Sequence, residues 1–322
     1  MGCGLYLVVP CYNEEEVLPE TTKRLNDKME RMCREGLIDD GRSKVLYVND
    51  GSKDRTWELI QQIHRENPRF TGISLAHNMG HQNALLAGLM TAKDYADAVI
   101  SMDADLQDDV EVLDEMIKKY MDGNDVVYGV RSSRKKDTFF KRFSAESFYR
   151  VMSAMGVKTV FNHADYRLTS KRVLESLKDF REVNLFLRGI FPLIGYTSDV
   201  VLYERNERFA GESKYPFKKM LAFAWDGITS FTVKPLKAIS VIGILISFIS
   251  LIFLLQFLLT KLLGYTVQGW TSVICSIWLV GGLQLFCLGI IGEYIGKIYG
   301  EVKQRPRYII EENLLDAAEQ EI

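Results

Sequence analysis

Residues 98–107, Ala98-Val99-Ile100-Ser101-Met102-Asp103-Ala104-Asp105-Leu106-Gln107, run from a short apolar stretch straight into two carboxylates and an amide at alternate positions. The apolar half predicts a buried strand over 98–102, and the polar half predicts a loop at its carboxyl end. Oxygens so spaced supply hard ligands for Mg2+ or Mn2+, an ion that in turn grips a diphosphate. A D-x-D triplet alone is also what a solvated acidic turn looks like. Its place directly after a buried strand makes Asp103, Asp105 and Gln107 candidate metal ligands.

The same alternation extends both ways. Runs at 5–9, 44–48, 70–75 and 125–128 read as strands, and 15–33, 56–66, 82–92 and 110–121 carry helical periodicity, with Asp54 or Ser52 as cap of the second helix. This predicts an α/β unit, a mostly parallel sheet flanked by helices, whose ligands gather at the carboxyl ends of the strands. Those ends are polar throughout: Tyr12, Asn13 and Glu14; Asn49, Asp50 and Gly51; His77, Asn78 and Gly80; Asp103, Asp105 and Gln107; Arg131 and Arg134. Turns are polar in any protein, but five such loops on one edge point to a site. No G-x-G-x-x-G follows the first strand and no G-x-x-x-x-G-K-[ST] occurs, so the phosphate cradles of dinucleotide and P-loop folds are absent. His77 and His81 lack a third soft ligand nearby and read as polar contacts or helix-start groups.

Past Pro235 the composition changes. No charge occurs from Ala238 to Thr260 or from Leu262 to Gly292, and each run exceeds the roughly 20 residues a helix needs to cross a bilayer. Two transmembrane helices are expected, at 238–260 and 270–292; a buried helical hairpin is the alternative. Lys214, Lys218, Lys219, Lys234 and Lys237 precede the first run and Lys297, Lys303, Arg305 and Arg307 follow the second, while the connection holds only Lys261. That asymmetry predicts a multi-pass protein of the cell membrane with the α/β domain and both termini cytoplasmic. The expected divisions are a catalytic domain at 1–214, a juxtamembrane segment at 215–237, the hairpin within 238–296 and a tail at 297–322. The juxtamembrane segment mixes aromatic and basic residues, fitting a helix in the membrane interface or an amphipathic core helix. Gly281, Gly282, Gly289 and Gly292 permit close helix packing within or between chains, leaving a homo-oligomer open. The 322 residues carry 40 basic and 42 acidic side chains, net −2, which gives no footprint for nucleic acid. Five cysteines without a C-x-x-C pair argue against a disulfide framework and a zinc site.

Val9-Pro10-Cys11-Tyr12-Asn13-Glu14, Val48-Asn49-Asp50-Gly51-Ser52, Asn78-Met79-Gly80-His81-Gln82 and the Asp103–Gln107 stretch together resemble the family 2 glycosyltransferases of GT-A, Rossmann-like fold. Gly129-Val130-Arg131, Ala164-Asp165-Tyr166-Arg167-Leu168, Arg205 with Arg208, Gly211-Glu212-Ser213-Lys214-Tyr215 and Arg305-Pro306-Arg307-Tyr308 resemble its polyisoprenyl-phosphate branch. That branch includes dolichol-phosphate mannose synthases and bacterial undecaprenyl-phosphate sugar transferases. The resemblance implies inverting transfer from a nucleotide-diphosphate sugar to polyisoprenyl phosphate at the lipid bilayer, for cell-envelope glycosylation. UDP-glucose or UDP-N-acetylglucosamine is the donor it favours, with GDP-mannose the alternative. It places Pro10, Tyr12, Glu14 and Asp50 around base and ribose, Asp103 beside ribose and metal, and Asp105 and Gln107 on Mg2+ or Mn2+. Arg131 would meet the lipid phosphate, Asp165 would sit near the reacting carbon as base or orienting group, and Arg205, Arg208, Ser213 and Lys214 would close over the diphosphate or interface. Arg134, with Lys135 and Lys136, fits either acceptor-phosphate attraction or a solvated loop. A processive polysaccharide synthase would carry Q-x-x-R-W, absent here; a non-catalytic nucleotide-sugar-binding scaffold could lose Asp105, Gln107 or Arg131, all present.

Overall fold

The computed structural model describes residues 2–132, 163–183, 185–204, 229, 233–263 and 269–315. Most of the juxtamembrane segment, together with Arg134, Arg205, Arg208, Ser213 and Lys214, lies outside the described residues. Two compact units emerge, one joining the N-terminal two-thirds of the chain to residues 305–322, the other containing 217–304.

In the first unit β1 (Leu5–Cys11), β2 (Lys44–Asn49), β3 (Phe70–Leu75) and β4 (Ala98–Ser101) pair in parallel, with β1 between β2 and β4. These runs are buried almost throughout, as strands covered on both faces must be. Three strands not expected from sequence complete the sheet. β6 (His163–Ser170) lies antiparallel between β4 and β5 (Val126–Arg131), β7 (Ser198–Tyr203) pairs parallel with β5, and β8 (Ile310–Asn313) pairs antiparallel with β3. The order is β7-β5-β6-β4-β1-β2-β3-β8. All but β6 and β8 run the same way, so the sheet is a GT-A-like mixed one, parallel in the block that carries the first four polar loops. Arg131 is the last residue of β5, not part of a loop after it.

The crossovers are helical: α1 (Leu18–Arg34), α2 (Thr56–Glu66), α3 (His81–Ala92) and α4 (Leu113–Met121) follow the first four strands, and α5 (Lys171–Leu177) and α6 (Leu187–Ile194) follow β6. The expected helix over 110–121 opens as a single 3-10 turn, Val110–Val112. The expectation of Asp54 or Ser52 as the cap of α2 is not met: the capping position is Arg55, which makes no side-chain cap bond, while Asp54 Oδ1 accepts the Thr56 N–H at 3.1 Å from one position earlier and Ser52 Oγ accepts the Asn13 N–H. Leu18, Leu25, Met29 and Met32 of α1 pack with Leu5, Leu7, Val9, Val45 and Tyr47 on one face of the sheet. Lys28, on the same helix, is buried by ion pairing with Asp114 (2.7 Å) and Glu111 (3.2 Å). On the opposite face α3 lies close: a Cβ on Gly88 would stand 2.4 Å from Val8 Cγ1 and 2.6 Å from Val48 Cγ2.

Residues 309–313 run along the outer edge of β3. The Ala76 N–H donates to the Ile309 carbonyl (3.0 Å). Trp57 Nε1 and Gln61 Nε2 donate to the two oxygens of Glu312 at 3.0 and 3.1 Å. This tail is therefore part of the sheet.

The second unit holds α7 (Lys234–Leu262, 29 residues) and α8 (Trp270–Val302, 33 residues), which contain the expected helical stretches 238–260 and 270–292. Pro235 sits in the first turn of α7, where its missing N–H costs nothing. α8 continues ten residues past the expected end at 292, carrying Glu293, Lys297 and Glu301 within the helix. Among the described residues one stretch, Leu279–Val302, meets the length and hydropathy needed to cross a membrane, and none of that window is buried.

Candidate active site

The loops leaving β1 and β2 are stitched together by their own polar groups. Asn13, in the left-handed region at φ 55°, donates its N–H to Ser52 Oγ (3.0 Å) and accepts the Lys53 N–H on Oδ1 (2.8 Å). The Glu14 N–H donates to Thr56 Oγ1 (2.9 Å). Tyr12 stands at the rim, 42% exposed, while Pro10 is buried within β1 opposite Val48.

Asp50 ties in the third loop, accepting the Met79 N–H at 2.7 Å and the Gly80 N–H at 3.1 Å. Burial raises its carboxyl, and the two N–H groups offset part of that. Gly51 makes the close approach possible: its φ is +61°, and a Cβ there would fall 2.5 Å from the Asn78 nitrogen. Beside these loops a cleft of about 410 Å3 is lined by Asn49, Lys53, Trp57, His77 and Glu312, among others. Any further partner of Asp50 has to be met alongside its two backbone bonds.

The loop after β4 alternates. Ala104 and Leu106 are buried whereas Asp103, Asp105 and Gln107 are partly exposed, which gathers the three polar side chains on one side. Leu106 achieves this in the left-handed region at φ 58°, a conformation that costs a branched residue about 1–2 kcal/mol and is offset by its burial. Asp105 Oδ1 accepts the Gln107 N–H (3.2 Å), and Thr21 Oγ1 donates to the Ala104 carbonyl (2.9 Å). Among the described residues no group of three or more His, Cys, Asp or Glu is poised to hold a metal. Two carboxylates and an amide instead suit an ion such as Mg2+, which takes its remaining ligands from substrate phosphates and water.

Register carries a further carboxylate to the same edge. Because β6 runs antiparallel to β4, with Ser101 opposite Arg167, Asp165 near its start stands beside the loop that leaves β4. Arg167 Nη2 donates to Asp165 Oδ1 (2.6 Å), Arg188 to both oxygens (3.2 and 3.0 Å), and Gln82 Nε2 to Oδ2 (3.3 Å). His81 Nε2 lies 3.4 Å from Asp165 Oδ2 and 3.7 Å from Asp103 Oδ1. Burial alone would raise the Asp165 carboxyl, yet Arg188, the His81 hydrogen bond and Arg167 hold it well below the usual carboxylate range. For His81 burial opposes protonation, but the bond to Asp165 and the charge of Asp103 outweigh it and the pKa rises. Burial likewise raises Asp103, with His81 opposing and Asp165 and Asp105 adding to the effect. As expected, His81 is a helix-start polar contact, the first residue of α3.

Arg131 enters from the other side of β6. Its Nε donates to the Tyr203 hydroxyl (3.4 Å), and that hydroxyl donates to Asp108 Oδ1 (2.6 Å). Asp125, the carboxylate a purely structural Arg131 could have used, is instead bound by Arg172, Ser170 and Thr197. Burial, then repulsion from Asp103, pushes the Asp108 carboxyl up to about 7.

The edge therefore brings together Asp103, Asp105, Gln107 and Asp165 with Arg131 across β6, adds Gln82 from the quoted 78–82 motif, and adds Asp108, Arg188 and Tyr203, which sequence reasoning did not single out. Asp108 extends the acidic run from Asp103, a signal present in the sequence; Arg188 and Tyr203 had none apart from the motifs beside them.

The chain resembles known proteins along its length. It is 54% identical over 310 residues to the glycosyltransferase YkoT of Bacillus subtilis, covering 96% of this chain and 92% of that protein. It is 40% identical over 309 residues to the SfII prophage-derived bactoprenol glucosyl transferase of Shigella flexneri, covering 95% of this chain and 97% of the relative. A crystal structure of glucosyl-3-phosphoglycerate synthase from Mycobacterium tuberculosis superposes with a TM-score of 0.46 at 16% identity, over 71% of this chain and 77% of that one. Residues 6–178, more than half the chain and the segment bearing every loop from β1 to Asp165, match the family model for glycosyl transferase family 2, and the chain is a glycosyltransferase belonging to that family.

Proposed function

We propose that this glycosyltransferase moves a sugar from UDP-glucose or UDP-N-acetylglucosamine to the phosphate of a polyisoprenyl lipid, undecaprenyl phosphate, with inversion, at the cytoplasmic face of the cell membrane. One observation carries the reading: the likeness to the Shigella flexneri bactoprenol glucosyl transferase extends through the apolar helices as well as the sheet. The edge chemistry supports it. Pro10, Tyr12, Glu14 and Asp50 border the nucleotide, with Arg205, Ser213 and Lys214 added from the resemblance. Asp105 and Gln107 would hold Mg2+ or Mn2+ with Asp103 beside it; when bound, such an ion offsets charge on the departing diphosphate. Arg131, joined by Arg134, would receive the acceptor phosphate.

That phosphate is mostly dianionic at pH 7, its second pKa being about 6, so it needs little help from a base. Asp165 is then an orienting group. Two arginines and a histidine stabilise its anion, which makes it a weak proton acceptor and a firm anchor for His81 and Arg188. Chain topology supports the hairpin. β8 returns the chain to the sheet after α8, so whatever number of crossings lies between Tyr203 and Ile310, it is even.

The test is transfer itself. Full-length protein, Mg2+, radiolabelled UDP-glucose and a short polyprenyl phosphate should yield label in the organic phase, with a panel of nucleotide sugars identifying the donor. Label that stays in water with every donor on that panel would refute the acceptor.

A further inference from the structure

Tyr203 ends β7 and is 2% exposed. Its ring meets Tyr166 of β6 edge-on, with centroids 5.3 Å apart and planes at 88°. Tyr166 in turn donates its hydroxyl to the Asp109 carbonyl (2.9 Å). Two tyrosines thus support the exit of the loop that carries Asp103, Asp105 and Gln107. The Tyr203 hydroxyl does more than support: it donates to Asp108 Oδ1 at 2.6 Å and accepts from Arg131 Nε at 3.4 Å. Asp108 Oδ2 meanwhile accepts the Asp103 N–H at 3.4 Å. One buried hydroxyl therefore bridges the donor loop and the arginine on the far side of β6.

A phenol that donates to a carboxylate becomes a better acceptor, so the two bonds reinforce each other. An arginine held through Nε has its planar fork fixed in direction, and the Nη end is the one suited to bidentate contact with phosphate. We infer that Tyr203 is a positioning residue: through Asp108 and Arg131 it holds the acceptor-binding guanidinium in register with the donor loop. The inference rests on the reading of Arg131 as the acceptor-phosphate ligand. The arginine's pKa agrees with the geometry, since burial would lower it but Tyr203 and Asp108 turn the shift upward.

The test is a double-mutant cycle on the full chain, with KM for a short polyprenyl phosphate measured at saturating nucleotide sugar and Mg2+. Nucleotide-sugar affinity and thermal midpoint are followed in parallel. Y203F keeps the ring against Tyr166 and removes the shared hydroxyl, and should raise acceptor KM about tenfold while donor affinity stays within about twofold. R131K keeps the charge but loses both the Nε bond and the fork, and should raise acceptor KM at least as much as Y203F without touching the tyrosine pair. Y203F added to R131A should cause no further loss. Normal acceptor use by Y203F beside a defective R131A would overturn the coupling and spare the role of Arg131. Normal acceptor use by R131A would overturn both. Equal losses from Y203F with and without Arg131, or donor and acceptor affinity falling together with the thermal midpoint, would reduce Tyr203 to a packing residue.

Discussion

Asp105 is where a single atom should matter most. Replacing one carboxylate oxygen by an amide nitrogen in D105N removes a hard anionic ligand and leaves the loop's shape, so turnover should drop by about two orders of magnitude with the thermal midpoint unchanged. Full activity in D105N, or in excess chelator, would remove metal from the mechanism. Asp165 tests a different property. In D165N the fully buried Arg167 loses its counter-charge, an uncompensated burial worth about 3–5 kcal/mol. The folded Asp165 carboxyl is depressed, so its stabilisation is complete above the unfolded pKa of about 4 and fades as pH falls through the folded value. Thermal melts should accordingly show wild-type stability declining below about pH 4, and a flatter acid limb in D165N. The candidate metal ligands were legible because they follow a buried strand at alternate positions in one short segment. Tyr203 was not: Asp108, the carboxylate that gives its hydroxyl meaning, lies 95 residues earlier, and no local pattern encodes such a pair.

The elements that were read carry a hydrophobic period, though β7, with Val200, Val201 and Leu202 in a row, was missed despite its apolar run. β1 to β4 announced themselves as apolar runs of the right length. β6, whose sequence is HADYRLTS, did not, since Asp165 and Arg167 look like surface residues until each is seen to neutralise the other in the core. β8, with two glutamates in four residues, becomes a strand only through the edge that β3 offers. α3 shows how packing transmits to the site. Gly88 lets this helix rest directly on Val8 and Val48, and the same helix delivers His81 and Gln82 to Asp165. G88A should therefore cost about 1–3 kcal/mol by overpacking, and turnover should fall with it as the helix backs away. A thermal midpoint and rate equal to wild type would mean that α3 tolerates displacement.

For the whole molecule, the apolar runs and their flanking lysines were plain in the sequence, whereas the return of the tail to the sheet was hidden. Glu312 meets Trp57 across 255 residues. If α7 and α8 form the proposed hairpin, single cysteines placed at 264–268 should react with an impermeant maleimide from outside intact cells, and cysteines after Lys303 only after lysis. Labelling of the tail from outside would exclude an even number of crossings. The order in which the chain is made gives β8 a second meaning. Among the described strands it is the last to leave the ribosome, so the other seven and both apolar helices are synthesised while Phe70–Leu75 still lacks its outer partner. Until then β3 is a bare edge, a template for the wrong neighbour. A chain stopped after Val302 would keep every loop of the site and still carry that open edge. Its expected fate is self-association, seen as early elution on gel filtration beside the full-length protein.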